Sequence, residues 1–248
     1  MNKISAVIIT KNEEANLEEC LKSLHWVDEI IIVDSYSTDS TKEIARKYTP
    51  YVYERSWTGY TDQRNYGATK ATNEWILSID ADERITEKLS IEIKEKLGAN
   101  NFVAFKIPMQ NYVFNRWMNH SGLGNQYHTR LYNKKYCEWD SLIHEDIVAK
   151  GNIGKMNEKM LHLAYMNVSE LIYKIDKYTD LEAEKLIKLH NPPSTAKLLV
   201  YPYAIFLYKY LFQKGFKDGI SGFAWAASLS YYHQIKLIKY FLKKDMNK

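Results

Sequence analysis

The chain has few of the features that mark disulfide-rich, membrane-spanning or secreted proteins. Only two cysteines, Cys20 and Cys137, occur among 248 residues, and they lie far apart without a metal-ligand spacing. This scarcity excludes a disulfide framework and fits a reducing compartment. No apolar run reaches the roughly 18–20 residues that a membrane-spanning helix needs. The first residues lead directly into a strand pattern, so we expect no signal peptide.

The excess of positive charge is small. Lysine and arginine together number 34 and the acidic residues 30, so the net charge is +4. A value this mild does not by itself indicate a nucleic-acid partner, and no nucleic-acid-binding motif is recognised. The charge is uneven, because residues 197–248 hold nine lysines and only two aspartates. The C-terminal region therefore differs in character from the rest of the chain.

Short apolar runs alternate with helical patterns in the first part of the chain. Residues 4–9 and 29–33 are β-branched runs typical of strands buried on both faces of a parallel sheet. Leucines at helical spacing follow the first run, and a second helix is predicted at about 41–47. This βαβα order predicts a right-handed, mostly parallel, doubly wound α/β sheet.

A third apolar run, residues 75–79, ends in three acids, Asp80, Asp82 and Glu83. Side chains two apart on an extended chain point the same way, so Asp80 and Asp82 form a carboxylate pair. Such a pair favours a cation between its members, and oxygen ligands suit Mg²⁺ or Mn²⁺ shared with substrate phosphates. The alternative interpretation is a polar strand exit or a helix cap.

Three polar clusters, at residues 10–14, 34–41 and 80–84, follow the three predicted strands. Ligands of open α/β sheets bind beyond the carboxyl ends of the strands. We therefore expect the clusters to converge on one crevice. Arg64, on a helix predicted from about Thr61, is suited to a phosphate or base contact there, although a surface arginine is the alternative.

Four motifs stand out in the first half of the chain: Ile-Ile-Thr-Lys-Asn-Glu-Glu at 8–14, Val-Asp-Ser-Tyr-Ser-Thr-Asp-Ser-Thr at 33–41, Gln-Arg-Asn-Tyr-Gly-Ala at 63–68 and Ile-Asp-Ala-Asp-Glu at 79–83. In this order and spacing they resemble family 2 glycosyltransferases of the GT-A fold. The branch that they resemble is the lipopolysaccharide core β-1,4-glucosyltransferase type, whose Asp-Ser pair is kept here as Asp34-Ser35. The resemblance is specific over residues 3–150 and looser to the end of the chain.

The resemblance implies where a UDP-sugar and a divalent ion would bind. Asp82 would be the main metal ligand, and Asp80 would touch the ribose or, through water, the metal. Ser35 replaces the second acid of many relatives, which leaves the uracil contact open. Capping roles are the alternative for several of these residues, and Asp39 is interpreted as a cap. The remaining nucleotide-sugar contacts would be Thr10, Asn12, Glu13, Asp34 and Arg64.

The acceptor side is expected to come from residues 101–165. The family carries its general base in an acidic motif where this chain has His144-Glu145-Asp146. The branch pattern favours Glu145, with Asp146 as second choice and His144 orienting the acid or touching a phosphate. An acid pair that caps a helix or pairs with lysine is the alternative. Arg130, ahead of this motif, is a possible acceptor or phosphate contact.

The C-terminal region, residues 166–248, is predicted to be a helical appendage. Residues 168–189 show one apolar stripe, and residues 235–244 form a short, basic, amphipathic segment. Lysines flanking aromatic and aliphatic side chains suit peripheral contact with an anionic membrane. A helical hairpin packed on the catalytic domain is the alternative.

Together these expectations describe a GT-A catalytic domain over residues 1–165, with the nucleotide-sugar half at about 1–100. Its implied activity is metal-dependent, inverting transfer of a sugar, with UDP-glucose as first donor candidate. The acceptor would be a hydroxyl of a lipopolysaccharide-core or other lipid-linked glycan, at the inner face of the cytoplasmic membrane. Two rival hypotheses are a nucleotidyltransferase and an inactive transferase-fold binding module. A nucleotidyltransferase would be expected to have a Gly-rich basic loop after the first strand.

Overall fold

The computed structural model describes residues 2–98, 101–114, 116–140, 146–188 and 193–246. Within these ranges the chain forms a mixed α/β structure. The strands are β1 (Ile4–Thr10), β2 (Glu29–Asp34), β3 (Val52–Glu54), β4 (Trp75–Asp80), β5 (Glu83–Arg84), β6 (Ala104–Val113), β7 (Arg116–Met118), β8 (Tyr127–Asn133), β9 (Cys137–Asp140), β10 (Asp146–Ala149), β11 (Ile153–Lys155) and β12 (Met160–Tyr165). The helices are α1 (Leu17–Lys22), α2 (Thr41–Tyr48), α3 (Tyr60–Lys70), α4 (Glu87–Leu97), α5 (Val168–Lys188), α6 (Thr195–Leu207) and α7 (Gly219–Met246).

The chain divides into two compact units. The first comprises Met1–Met109 and Gln126–His162, and the second comprises Gln110–Asn125 and Leu163–Lys248. Residues 110–125 therefore group with the C-terminal helices. The functional boundary at residue 165 that the sequence suggested stays a prediction.

The sheet of the first unit has the strand order β3-β2-β1-β4-β8-β6. Strands β3, β2, β1 and β4 are parallel, as the sequence predicted. Strands β8 and β6 then continue the sheet in antiparallel pairing, so the sheet is mixed beyond β4. In the parallel half, Thr10 lies opposite Asp34 and Ile9 opposite Asp80. This register brings the three predicted polar strand ends to one edge.

Helices cover both faces of the parallel strands, which explains why β1 is buried along its whole length. On one face Ile8 and Leu77 pack with apolar side chains of α1 and α4. On the other face Val7 and Val33 pack with alanines of α3 and its C-terminal end. The doubly wound arrangement is confirmed. Both cysteines are buried and free.

Gly67 permits the close approach of α3 to the sheet. A Cβ atom at this position would lie 2.3 Å from Val7 Cγ1 and 3.2 Å from Val33 Cγ2. Any side chain there would push the helix outward, because a packed core accepts added volume poorly. The glycine of the 63–68 motif therefore fixes the depth at which the preceding turn, with Arg64, is held.

The second unit is built mainly from helices α5, α6 and α7. Three lysines of α7 form ion pairs with acidic residues of α5: Lys236 with Glu182 (3.8 Å), Lys239 with Asp176 (2.7 Å) and Asp180 (3.0 Å), and Lys243 with Asp180 (3.1 Å) and Glu184 (3.0 Å). The predicted basic segment at 235–244 is thus part of a longer helix whose charges are engaged within the chain. Among the described residues, no helix combines the length and apolar character needed to cross a membrane.

A buried aspartate organises the remaining segment of this unit. Asp218 is 2% exposed and accepts hydrogen bonds from the backbone N–H groups of Asn119 and His120. Its other oxygen lies 2.9 Å from His120 Nδ1. Residues 110–125 contain the end of β6 and the short strand β7, which pair with each other.

Candidate functional site

The carboxyl ends of β1 and β2 meet at a buried aspartate. Asp34 has no exposed surface. Its carboxylate accepts hydrogen bonds from Thr10 Oγ1 (3.0 Å), from the Ser37 backbone N–H (2.8 Å) and from the Ser37 hydroxyl (2.5 Å). Ser35 is also buried, and it donates its N–H to the Thr10 carbonyl and receives a hydrogen bond from Gln63 Nε2 (3.4 Å). Thr10, Asp34 and Ser35 are therefore brought together as predicted, while their nucleotide contacts stay predictions.

The loop after β1 is shaped by hydrogen bonds to the loop after β2. Asn12 has a left-handed backbone (φ 56°), its N–H donates to Ser37 Oγ, and its side-chain oxygen accepts from the Thr38 N–H. The Glu13 N–H donates to Thr41 Oγ1. Asn12 is exposed and Glu13 half-buried. Both predicted residues thus line the same edge as Asp34.

Asp39 has the capping role that the sequence assigned to it. Its carboxylate accepts hydrogen bonds from the backbone N–H and hydroxyl of Thr41, the first residue of α2, and from the Glu14 N–H. Burial opposes ionisation, but the hydrogen bonds from Thr41 and from the Glu14 N–H together lower the pKa of Asp39. The aspartate joins both loops to the start of α2.

Two arginines hold the carboxylate at the end of β4. Arg64 Nη2 lies 2.9 Å from Asp80 Oδ1, and Arg130 Nη2 lies 2.7 Å from Asp80 Oδ2. Arg130 also contacts Glu83 Oε1 at 2.5 Å, and Glu83 Oε2 accepts the Asp80 backbone N–H at 2.9 Å. Both arginines are buried, and Glu83 is 1% exposed. The four side chains form one network that fixes the turn carrying Asp82.

The network shifts the pKa values of its two carboxyl groups, Asp80 and Glu83, in opposite directions. Burial opposes ionisation of Asp80, but the guanidinium groups of Arg130 and Arg64 hold its pKa well below the usual range. Burial raises the pKa of Glu83 despite its contact with Arg130. The same two acids raise the pKa of Arg130. The ion pairs with Arg64 and Arg130 favour the ionised form of Asp80 and support a role in positioning the turn.

We expect Arg130→Met to destabilise the protein by about 3–5 kcal/mol, because it leaves Glu83 and Asp80 buried with one cation fewer. Thermal unfolding measures the effect. Arg55→Met is the matched control, since Arg55 pairs with a half-exposed Asp62 and an exposed pair contributes at most about 1 kcal/mol. Adding Glu83→Gln to Arg130→Met should recover part of the loss. Equal melting temperatures for the two single variants would contradict the network's role.

Asp82, the predicted metal ligand, is half-buried at the turn between β4 and β5. Its Oδ2 lies 3.6 Å from Nε2 of His162, on β12. Burial opposes protonation of His162, but Asp82 and Glu83 raise the pKa of its imidazole overall. Two donors that each approach an ion to roughly 2.1 Å can be this far apart, so the pair fits a shared divalent ion. Within the described ranges, no group of three or more His, Cys, Asp or Glu side chains forms a metal cluster.

The residues on either side of Arg64 connect α3 to two further segments. Gln63 donates to the Ser56 carbonyl at 2.8 Å. Asn65 donates its Nδ2 to the Trp139 carbonyl at 2.9 Å, and its Oδ1 accepts the Trp139 N–H at 3.0 Å. The Trp139 ring in turn lies 4.6 Å from the Arg64 guanidinium carbon. Helix α3 therefore fixes strand β9, which precedes the acidic motif.

The acidic motif is only partly within the described ranges. His144 and Glu145 lie outside them. Asp146 begins β10 opposite Asp140, is exposed, and accepts a hydrogen bond from the N–H of Ile147. Burial lowers the pKa of His128 to about 4, and the charges of Asp80 and Asp146 both oppose that shift. Asp146 is thus close enough to the β4 network to share its electrostatics.

Residue types alone did not reveal several contributors to this site. Glu83 was noted as an acid but not as the buried partner of Arg130, since burial is invisible in a short polar turn. His162 was not singled out, because it follows Asp82 by 80 positions and lies on a strand that sequence reasoning did not predict. Asn65 sits within a motif that was noted, and its bonds to Trp139 give that position a structural reason.

The chain is similar to known proteins over most of its length. The family model for Glycosyl transferase family 2 matches residues 5–148. A protein from Rhizobium meliloti (strain 1021) called lipopolysaccharide core biosynthesis glycosyltransferase LpsC is 31% identical over 230 residues, which is 89% of this chain and 85% of that protein. An uncharacterized glycosyltransferase from Rickettsia bellii (strain RML369-C) is 31% identical over 253 residues, covering 96% of this chain and 85% of the relative.

Two solved structures have a similar fold. One is the mannosyltransferase PcManGT from Pyrobaculum calidifontis in complex with GDP-Man and Mn²⁺, with a TM-score of 0.56 and 14% identity. The match covers 98% of this chain and 88% of that chain. The other is S. aureus TarS 1-349 in complex with UDP-GlcNAc, with a TM-score of 0.50, 16% identity and coverage of 96% and 89%. At these identities the likeness shows the fold of this chain, and the ligands named belong to those two proteins.

Proposed function

Because this chain belongs to the family 2 glycosyltransferases, we propose that it moves a hexose from a UDP-sugar onto a hydroxyl of a lipid-linked glycan. UDP-glucose is the first donor candidate and a lipopolysaccharide-core glycan the first acceptor candidate, since LpsC is named for core biosynthesis. The observation that carries the proposal is the convergence of Thr10, Asp34 and Asp80 at one sheet edge. Asp82 and His162 lie directly after that edge in the same unit.

The donor would bind along the loops after β1, β2 and β4. Asn12 and Glu13 line this edge, and Thr10, Asp34 and Ser35 form its buried floor. Carboxylates and hydroxyls of this kind accept or donate hydrogen bonds to a uracil and a ribose. Arg64 and Asp80 neutralise each other in the absence of ligand. A diphosphate oxygen would compete with Asp80 for the same guanidinium group.

Asp82, with His162 beside it, would hold a divalent ion, Mg²⁺ or Mn²⁺. When bound, such an ion accepts the negative charge that develops on the leaving diphosphate. The similarly folded mannosyltransferase was crystallised with Mn²⁺, which supports the choice. An imidazole ligand suits Mn²⁺ better than Mg²⁺, because Mg²⁺ prefers oxygen donors.

The acceptor hydroxyl would be activated by an acid of the 144–146 motif, with Glu145 first and Asp146 second. The carboxylate removes the hydroxyl proton as the oxygen attacks the anomeric carbon. The new carbon–oxygen bond forms while the bond to the diphosphate oxygen breaks, and the electron pair leaves with UDP. One in-line displacement of this kind inverts the anomeric centre. His144 and Arg130 are the remaining candidates for acceptor or phosphate contacts.

The proposed place of action is the cytoplasm, at the inner face of the cytoplasmic membrane. A lipid-linked acceptor is confined to the bilayer, whereas a UDP-sugar is dissolved in water. An enzyme that joins them benefits from peripheral contact with the lipid surface, because contact concentrates it near the acceptor.

A thermal-shift panel of nucleotide sugars with and without Mn²⁺ tests the donor assignment. We expect a UDP-hexose to raise the melting temperature more than its GDP or CMP counterpart, and more strongly with Mn²⁺, because only a ligand of the native state stabilises it according to affinity. Release of UDP from that same sugar nucleotide, with or without acceptor, then separates an active enzyme from an inactive binding module. A panel without any nucleotide-dependent shift would contradict the proposal.

A further inference from the structure

The second unit exposes an apolar surface on α6, on the π-helical turn that follows it and at the start of α7. We call it the outer face, and it consists of Leu199, Val200, Tyr203, Leu207, Leu211 and Ile220. Their exposed fractions are 71%, 65%, 68%, 48%, 50% and 80%. Scattered apolar residues are ordinary on protein surfaces, but four of these, Leu199, Tyr203, Leu207 and Leu211, recur every four residues along one helical stretch, and such a grouped apolar surface indicates an interaction site.

Helical geometry places the α6 members of this group on one side. Leu199, Tyr203 and Leu207 are spaced by four residues, so they follow one another along the helix surface. Another side of α6 packs inward: Pro202 is buried, and the half-buried Phe206, at the border of the exposed side, has its ring 5.5 Å from the Phe223 ring of α7. The helix is therefore apolar both where it meets α7 and where it meets solvent.

Positive charge predominates in the segment that carries most of the outer face, and the nearby Asp218 is buried and bound by His120. Residues 193–217 contain four lysines and no acidic residue. Three of them, Lys197, Lys214 and Lys217, are exposed, and no ion pair engages them within the described part of the chain. The lysines of α7 differ, since Lys236 and Lys239 pair with acids of α5. Free positive charge is thus concentrated beside the exposed apolar side chains.

We propose that the outer face is the surface on which this protein docks to an anionic lipid bilayer, with its aliphatic side chains at the acyl boundary and the three lysines at the headgroups. Helices that lie in a membrane interface usually bind by burying apolar side chains and by attraction of lysines to anionic lipid. Tyrosine is enriched at the membrane–water interface. A second copy of this chain fits less well, because a symmetric contact would bring lysines against lysines. The inference rests on the proposed peripheral location and not on the proposed chemistry.

Vesicle sedimentation with the full chain tests the proposal, in the absence of any sugar nucleotide. The probes are phosphatidylcholine vesicles with and without about one third phosphatidylglycerol. The outer-face variant combines Leu199→Gln, Leu207→Gln and Ile220→Gln. The matched control combines Ile172→Gln and Leu181→Gln, which are 48% and 63% exposed on α5. Because all five positions are exposed, both variants should keep the wild-type melting temperature.

We expect the wild type and the control to bind the anionic vesicles, and the outer-face variant to bind at least about tenfold more weakly. A third variant, Lys197→Gln with Lys214→Gln and Lys217→Gln, should lose the preference for anionic over neutral vesicles. Equal binding by the wild type and the outer-face variant would overturn the proposal. So would a wild-type dimer in solution that the outer-face variant abolishes, since the face would then belong to a second copy. Transfer to a water-soluble acceptor should be the same in the wild type and the outer-face variant, so failure of the vesicle test leaves the proposed chemistry untouched.

Discussion

Replacing Asp82 by asparagine is expected to lower sugar transfer roughly 10³-fold. Asparagine keeps the shape of the side chain but removes the negative charge that attracts a divalent ion. Asp82 is half-buried and its ion pair with His162 spans 3.6 Å, so the substitution should change the melting temperature by no more than about 2 °C. Initial rates of UDP release at saturating acceptor, measured across a range of Mn²⁺ concentrations, give the result.

Asp62→Asn is the matched control for this measurement. Asp62 is a half-exposed aspartate that pairs with Arg55 on the surface of the same unit, and its loss should leave the rate within about twofold of the wild type. His162→Ala should fall between the two variants and should require more Mn²⁺ for half-maximal rate. Near-wild-type turnover of Asp82→Asn at any Mn²⁺ concentration would remove Asp82 from the metal site.

Glu145→Gln should lower kcat by about 10²–10⁴-fold while leaving the affinity for UDP nearly unchanged. An alcohol is a weak nucleophile at neutral pH, and a positioned base removes its proton only as the new bond forms. The amide of glutamine cannot accept that proton. Single-turnover rates report the chemical step, and calorimetric titration with UDP reports the affinity.

Asp146→Asn provides the comparison, because it alters the neighbouring acid of the same motif. The exposed Asp146 side chain accepts the N–H of Ile147, a contact that asparagine retains. We expect this variant to keep most of its activity. If Asp146→Asn loses the activity and Glu145→Gln does not, the base is Asp146, and the order of preference between the two acids is reversed.

The parallel half of the fold could be predicted from the sequence, because continuous β-branched runs such as Ile4–Thr10 are typical of strands buried on both faces. The direction of β8 and β6 could not, since apolar periodicity does not reveal whether neighbouring strands are parallel or antiparallel. The expected doubly wound sheet is confirmed, with β3, β2, β1 and β4 parallel, while β8 and β6 add antiparallel pairs beyond β4.

Side-chain contacts in the site could likewise be predicted only in part from the sequence. Strand-end polar clusters predicted the convergence of Thr10, Asp34 and Asp80, because strand register follows from the βαβ order. The partners of Asp80 could not be predicted, since Arg130 reaches it from β8, 50 residues later. Ion pairs between distant elements also could not be predicted in the C-terminal region. The lysines at 235–244 suggested peripheral contact with an anionic membrane, but three of them pair with acids of α5, about 60 residues away.

The central claim is that the carboxyl edge of this sheet binds UDP together with a divalent ion held by Asp82. Calorimetric titration of UDP into the wild type and Asp82→Asn, each with and without Mn²⁺, tests it most directly. The account predicts that Mn²⁺ strengthens UDP binding at least about tenfold in the wild type and has no effect in the variant, which still binds UDP weakly. Absence of UDP binding by the wild type, or the same gain from Mn²⁺ in both proteins, would contradict it.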